Sequence, residues 1–323
     1  MIATALGSFD GTDMATVMRT LLGELEQRAP IAELPARGPH AGMIARTAAM
    51  LPETPFDLRP SGWRLSQGDS LVRRRAASLV TDDVTITAEV VEDWSGVLTL
   101  TMAGPWTLLA NLDLPRGGKA VGDWGARRDL CQAWLAGAAA EIDHARAQLG
   151  RPLAIQIDEP SLPQVLAGKV PDESGRRMLP PVEPHEVNEA LANCVSTARE
   201  SSGDIVVIHC CGDSAPVDEM GDAAPDALSV DTSRLSPADW QWLAQWLDSG
   251  RQLWLGLLPT NTPTAGPGAI AEALMDCRRA LDAEPGGPAD DRLTLTPACG
   301  LAGVSFSSAM HAVTDLVRVA RDQ

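Results

Sequence analysis

Short apolar or β-branched runs recur along this chain, most of them separated by longer segments of helical period. No other sequence feature restricts the fold as much. The runs are Ile2–Leu6, Trp63–Leu65, Val97–Met102, Leu153–Ile157, Ile205–Ile208, Leu228–Val230, Leu253–Leu257 and Leu293–Thr296, and each reads as a strand. The clearest helical patterns are Trp124–Gln148, Pro184–Arg199, Ser236–Asp248, Ala269–Leu281 and Ser307–Val319. Ser236 followed by Pro237 reads as an N-cap with proline at the first helical position. Alternation of this kind predicts a parallel sheet covered by helices. Eight units in 323 residues suit an α/β fold of the (β/α)8 TIM-barrel type, a single domain over residues 1–323. A doubly wound open sheet is the rival, but no Gly-rich nucleotide fingerprint follows the first strand.

Composition narrows the function. A net charge of −17, with no basic run longer than Arg73-Arg74-Arg75, argues against nucleic acid and against an anionic membrane surface as partners. The start, MIATALGSFD, lacks the basic opening and apolar core of a signal peptide, and no apolar stretch approaches the roughly 20 residues of a membrane span. A cytoplasmic protein is expected. Six cysteines scattered through so long a chain read as reduced thiols rather than a disulfide framework.

A barrel offers a test, because active sites on this fold are built just after the strands. Gly7-Ser8-Phe9 follows the first strand candidate, Gly104-Pro105-Trp106 the third and Asp158-Glu159-Pro160 the fourth. His209 and Cys211 follow the fifth, Asp231-Thr232-Ser233 the sixth and Ala298-Cys299-Gly300 the last. Along a strand His209 and Cys211 point the same way and Cys210 the other. Cysteines are often plain core residues, and a strand-end histidine is often only hydrogen-bonded. The alternative is a metal site. With Asp231 and Cys299 from other strand ends, the set would be one His, two Cys and one Asp, ligands that suit zinc. Cys131, Cys194 and Cys277 fall within helical patterns and are read as packing.

These residues carry a resemblance. IQIDEPSL at 155–162, IHCC at 208–211, SVDTSR at 229–234, TPACGL at 296–301 and AGPWTLL at 103–109 resemble, in order, motifs of the catalytic C-terminal half of cobalamin-independent methionine synthases. That family lies within the superfamily that includes uroporphyrinogen decarboxylase. The resemblance implies a Zn2+ held by His209, Cys211, Asp231 and Cys299, to which a small-molecule thiol such as homocysteine binds as thiolate to receive a methyl group. It also implies that Ser8 meets the amino acid's carboxylate and Asp158 its amino group.

Three departures modify the expectation. Asp231 stands where the family usually has Glu. Asn261, in LLPTNTP, stands where the family has a His that acts as an acid in methyl transfer, and Asn cannot donate a proton as His can. The family's second amino-binding Glu has no evident match, and RGPHAG at 37–42, with His40, occupies about that place. The long enzymes also carry a further barrel that helps bind the folate donor, whereas this sequence opens directly on the catalytic unit. Together these features tilt the expected donor from methyltetrahydrofolate toward methylcobalamin, with a corrinoid protein as a partner that could dock on the rim. The alternatives are a decarboxylase on the same fold and a non-catalytic zinc- or ligand-binding paralogue.

Overall fold

The computed structural model describes residues 1–260 and 266–323. Its strands are β1 (Ile2–Ala3), β2 (Arg28–Pro30), β3 (Phe56–Arg59), β4 (Gly62–Leu65), β5 (Val97–Ala103), β6 (Leu112–Asp113), β7 (Leu153–Asp158), β8 (Gly203–Cys210), β9 (Ala227–Asp231), β10 (Gln252–Leu258) and β11 (Leu293–Pro297). Its helices are α1 (Met14–Glu24), α2 (Met43–Met50), α3 (Leu71–Val90), α4 (Pro105–Asn111), α5 (Trp124–Leu149), α6 (Leu162–Leu166), α7 (Pro184–Ser202), α8 (Val217–Asp222), α9 (Pro237–Asp248), α10 (Gly266–Leu281) and α11 (Phe306–Arg321).

Eight strands form one parallel sheet in the order β1-β11-β10-β9-β8-β7-β5-β2. This is the α/β barrel that the alternation predicted. Local chemistry sets the helix ends as expected: Ser236 and Asp239 form a reciprocal capping box at the start of α9, with Pro237 at the first helical position. Among the described residues no helix is long and apolar enough to cross a membrane.

The second barrel strand differs from the expectation. Trp63–Leu65 lies in β4, which pairs with β3 and β6 in a separate three-stranded sheet beside the barrel. The barrel position belongs to β2, whose three residues are Arg-Ala-Pro. An arginine and a proline in so short a segment carry no apolar signature. Proline is tolerated here because β2 pairs along its length only with β5, leaving its other side to the barrel's seam.

That seam is closed just beyond the named strands. Phe9 N donates to Glu33 O and Glu33 N donates to Gly7 O, both at 2.9 Å, and Ser8 bridges Glu33 in parallel. Leu301 N then donates to Ser8 O at 2.7 Å. Segments from three strand ends are thereby fixed against one another at the mouth.

The interior is separate from the helix-facing core. Leu6, Val207, Ala227 and Trp254 form their own buried cluster, and the Arg28 guanidinium lies over the Trp254 ring, 5.4 Å from its centroid. Arg28 is buried, with Nε and Nη1 unpaired, and burial lowers its pKa. Losing a fully buried indole leaves a large cavity, so Trp254→Ala costs about 3–5 kcal/mol. Arg28→Met keeps most of the side-chain volume and removes a desolvated charge, so it changes stability by less than about 1 kcal/mol or raises it. Urea unfolding of the two variants checks both values.

Candidate metal and substrate site

The site is built where β8 and β11 run out. In β8, alternation turns Val207 and His209 into the barrel and Cys210 into the helix-facing core. The β8–β9 register sets His209 opposite Ser229, and His209 Nδ1 lies 2.9 Å from Ser229 Oγ. The ring is thus oriented from behind, leaving its other nitrogen, Nε2, buried and without a hydrogen-bond partner. An orphaned imidazole nitrogen in a buried position calls for a ligand.

Two sulfurs stand close to it. Cys211 follows the end of β8 and Cys299 the end of β11, and their Sγ atoms are 2.8 Å apart as free thiols. His209, Cys211 and Cys299 offer ligand atoms that all lie within 4.8 Å of one another. Gly300 lets Ser8 lie against the segment that carries Cys299, because a Cβ there would fall 1.9 Å from Ser8 Oγ. The Cys211 thiol donates to Cys299, which holds the Cys299 pKa down at about 4 against the cost of burial, with further help from His209. Donating that proton, together with burial, pushes Cys211 far up. Burial alone would lower His209, but the neighbouring Cys299 sulfur and the Asp158 carboxylate outweigh it and raise the pKa.

Asp158, the last residue of β7, is buried and accepts from Gln156 Nε2 at 2.8 Å. Burial pushes its pKa up to about 8, opposed by His209 and Gln156 and reinforced by the charges of Glu33 and Cys299. Its neighbour Glu159 has a different task. That side chain accepts from the N–H groups of Trp106 and Thr107, at 3.0 and 2.7 Å, and from Thr107 Oγ1 at 2.7 Å, so it caps α4. The two adjacent acids of IDEP therefore serve the mouth and the scaffold respectively.

Glu33 is the residue that the sequence reading missed. It follows β2 and is 6% exposed, and it accepts from Arg46 Nε at 3.2 Å. Burial raises its pKa, opposed chiefly by Arg46. Arg46 also donates to Asp83 at 2.6 Å, and Arg37 grips the same Asp83 through two bonds of 2.7 Å. With Asp158 it gives the mouth a second buried acid, a few residues before the RGPHAG segment and His40. Locating β2 would have exposed it as a strand-end residue.

Asp231, the fourth expected ligand, ends β9 and is not among the three residues whose ligand atoms lie within 4.8 Å of one another. Its carboxylate accepts from Ser233 N at 3.1 Å and Ser233 Oγ at 2.6 Å, and from Arg234 Nε at 2.9 Å. Ser8 lies at the mouth, fixed by the seam. Asn261 lies outside the described residues. Cys194 and Cys277 are buried and Cys131 half-buried, each within a helix.

The geometry defines a (β/α)8 barrel with an imidazole and two thiols converging at its catalytic rim. The chain belongs to the cobalamin-independent synthase family, whose catalytic-domain model matches residues 41–322. Ser8 and Glu33 precede that stretch. Among solved structures, a B12-independent methionine synthase from Shewanella sp. W3-18-1, in complex with selenomethionine, is 13% identical with a TM-score of 0.65. The match covers 99% of this chain and 96% of that one. A β-glucosidase follows at 11% identity and a TM-score of 0.50, over 95% and 87% of the two chains. At such identities these likenesses speak to the fold. No curated protein sequence matches this chain.

The Cys211 thiol and His209 hold the Cys299 pKa of the metal-free protein well below that of an ordinary cysteine. Alkylation by iodoacetamide is therefore expected at Cys299 before the other thiols, at a rate that changes little between pH 6 and 8, where an ordinary cysteine gains about tenfold per pH unit. Peptide mass spectrometry across that range reads it directly.

Proposed function

We propose that this protein is a zinc-dependent methyltransferase that moves a methyl group to the thiol of homocysteine, giving methionine. The observation that carries the reading is the convergence of His209 Nε2, Cys211 Sγ and Cys299 Sγ beside two buried carboxylates at one barrel mouth.

The donor set fits zinc. The orphaned Nε2 and two sulfurs are ligands of the right softness, and the cluster is small enough to share one ion. Sulfurs bound to one tetrahedral zinc sit about 3.8 Å apart, so Cys211 and Cys299 would part by about 1 Å and give up the proton between them. Zinc held there would lower the pKa of a substrate thiol, so that a nucleophilic thiolate is present at neutral pH.

The chain's own side chains do the remaining work. Ser229 fixes the His209 ring so that Nε2 faces the cluster. Asp158 and Glu33 are buried acids held above their usual pKa range by burial; Glu33 is paired with Arg46, and an arriving ammonium group supplies a counter-charge to Asp158. Ser8, fixed between Glu33 and Leu301, supplies a hydroxyl to the amino acid's carboxylate. Holding the substrate by both ends orients its sulfur and removes much of the entropy cost of the encounter. The selenomethionine bound by the Shewanella relative supports an amino acid of this shape.

For the donor, Asn261 stands where the family has a proton-donating histidine. A folate nitrogen must be protonated to leave, whereas methylcobalamin already has a good leaving group, so the substitution favours a corrinoid donor. A decarboxylase that holds several substrate carboxylates needs cations at the mouth, and Arg37 and Arg46 are committed to Asp83 and Glu33.

Zinc-loaded protein given homocysteine and either methylcobalamin or methyltetrahydrofolate is expected to form methionine with the first, read by mass spectrometry. Methionine from the folate alone overturns the donor, and none from either overturns the activity. Asp158→Asn separates binding from stability. Losing a charge-assisted hydrogen bond worth about 1.5–3 kcal/mol raises the KM for homocysteine roughly 10- to 100-fold. Burial keeps the carboxyl protonated in the fold up to about pH 8, whereas an exposed aspartate ionises at 3.8, so it makes stability fall as pH rises between those values. Asn removes that loss, and the metal-free variant is expected to melt above the wild type at pH 7 by differential scanning fluorimetry.

A further inference from the structure

We infer that the metal in this chain is held by three side chains, His209, Cys211 and Cys299, and that Arg234 is a positioning residue that keeps Asp231 out of the coordination shell. The inference rests on the zinc reading above and concerns how this particular chain builds the site.

Asp231 ends β9 one residue beyond the pair formed by Cys210 and Val230, so its backbone lies at the same level of the rim as Cys211. Its carboxylate is nonetheless spent on other partners. Oδ1 accepts from the N–H and hydroxyl of Ser233, and Oδ2 accepts from Arg234 Nε, so each oxygen already has a donor. Arg234 reaches further, pairing through Nη1 with Asp213, two residues past Cys211. One guanidinium thus straddles the end of β9 and the loop that carries a sulfur ligand. It holds the Asp231 carboxylate aside.

The backbone cannot compensate. β9 is paired on both sides, with β8 and with β10. At Gly256 of β10 the strands are so close that a Cβ would fall 2.7 Å from Val230 O, 2.8 Å from Ala298 Cα and 3.3 Å from Asp231 Cα. The end of β9 is locked, and any advance of Asp231 must come from its side chain. Asp is one methylene shorter than Glu, and to turn it would have to leave Arg234.

Charge points the same way. Two thiolates and a neutral imidazole neutralise a divalent zinc, and an incoming substrate thiolate then brings the assembly to −1. A carboxylate in the shell as well would bring it to −2 in a buried site, at a large desolvation cost. Three protein ligands also leave a tetrahedral ion one open position, the arrangement of catalytic rather than structural zinc sites. A substrate sulfur can occupy it without displacing a side chain.

The test is metal binding, read without turnover. Zinc content and affinity are measured by competition with a chromophoric chelator, and the cobalt(II) form is followed by its absorption, with melting curves confirming that each variant is folded. The wild type is expected to take up one ion. Asp231→Asn is expected to keep it, within about threefold in affinity and with an unchanged cobalt spectrum, whereas Cys299→Ser loses binding by far more than the 10- to 100-fold typical of an outer-shell change. Homocysteine added to the cobalt form is expected to add a third thiolate charge-transfer contribution. Arg234→Met frees Asp231 and is expected to tighten zinc about tenfold, a gain absent from the double variant Arg234→Met/Asp231→Asn.

A loss of 10-fold or more in Asp231→Asn with Arg234 intact makes Asp231 a ligand and overturns the inference, while the zinc reading stands. Unchanged affinity in Arg234→Met overturns the role given to Arg234. A folded wild type that takes up neither zinc nor cobalt removes the zinc reading and this inference together.

Discussion

Two backbone hydrogen bonds, from Phe9 N to Glu33 O and from Glu33 N to Gly7 O, close a barrel that its named strands leave open between β1 and β2. The mouth depends on that closure. It brings Ser8 and Glu33 to one seam, and the bond from Leu301 N to Ser8 O ties the segment bearing Cys299 to the same point. Were β1 and β2 free to separate, the cysteine beyond β11 would lose its footing opposite the histidine of β8. Backbone pairing can serve this purpose because it is short-ranged and directional, so it sets positions far more tightly than apolar contact does.

The rim that results is poorly matched to itself. A buried imidazole nitrogen without a partner, two thiols sharing a proton and two buried acids with raised pKa values are each unfavourable in a folded chain. They persist because the surrounding barrel is fully packed, and because the ion and the zwitterionic substrate proposed here would satisfy all of them. The Arg37–Asp83–Arg46–Glu33 network, which joins α2, α3 and the end of β2, is the scaffold's contribution, holding Glu33 in place through an arginine that it shares with Asp83.

Much of this was legible in the residues. Seven of the eight expected strands lie in the barrel, because strands buried on both faces must read as apolar runs. His209, Cys211 and Cys299 were legible as a group because barrel topology gathers strand ends whatever their separation in sequence. The eighth strand escaped because Arg28-Ala29-Pro30 carries no such run, and β4 drew the assignment because Trp63 and Leu65 do. Missing β2 also hid Glu33, whose meaning depends entirely on its position after a strand.

Sequence by itself determined the fold class, the family to which the motifs belong and the types of ligand present, since periodicity and residue chemistry are local properties. Only the tertiary structure decided which acid stands at the mouth and which caps a helix, as Asp158 and Glu159 divide in adjacent positions. It also decided that Asp231, chemically able to bind a metal, is turned to Ser233 and Arg234 instead. The reason is the same in both cases: a carboxylate's role is set by the nearest donors in space, and those come from segments that the linear sequence does not pair.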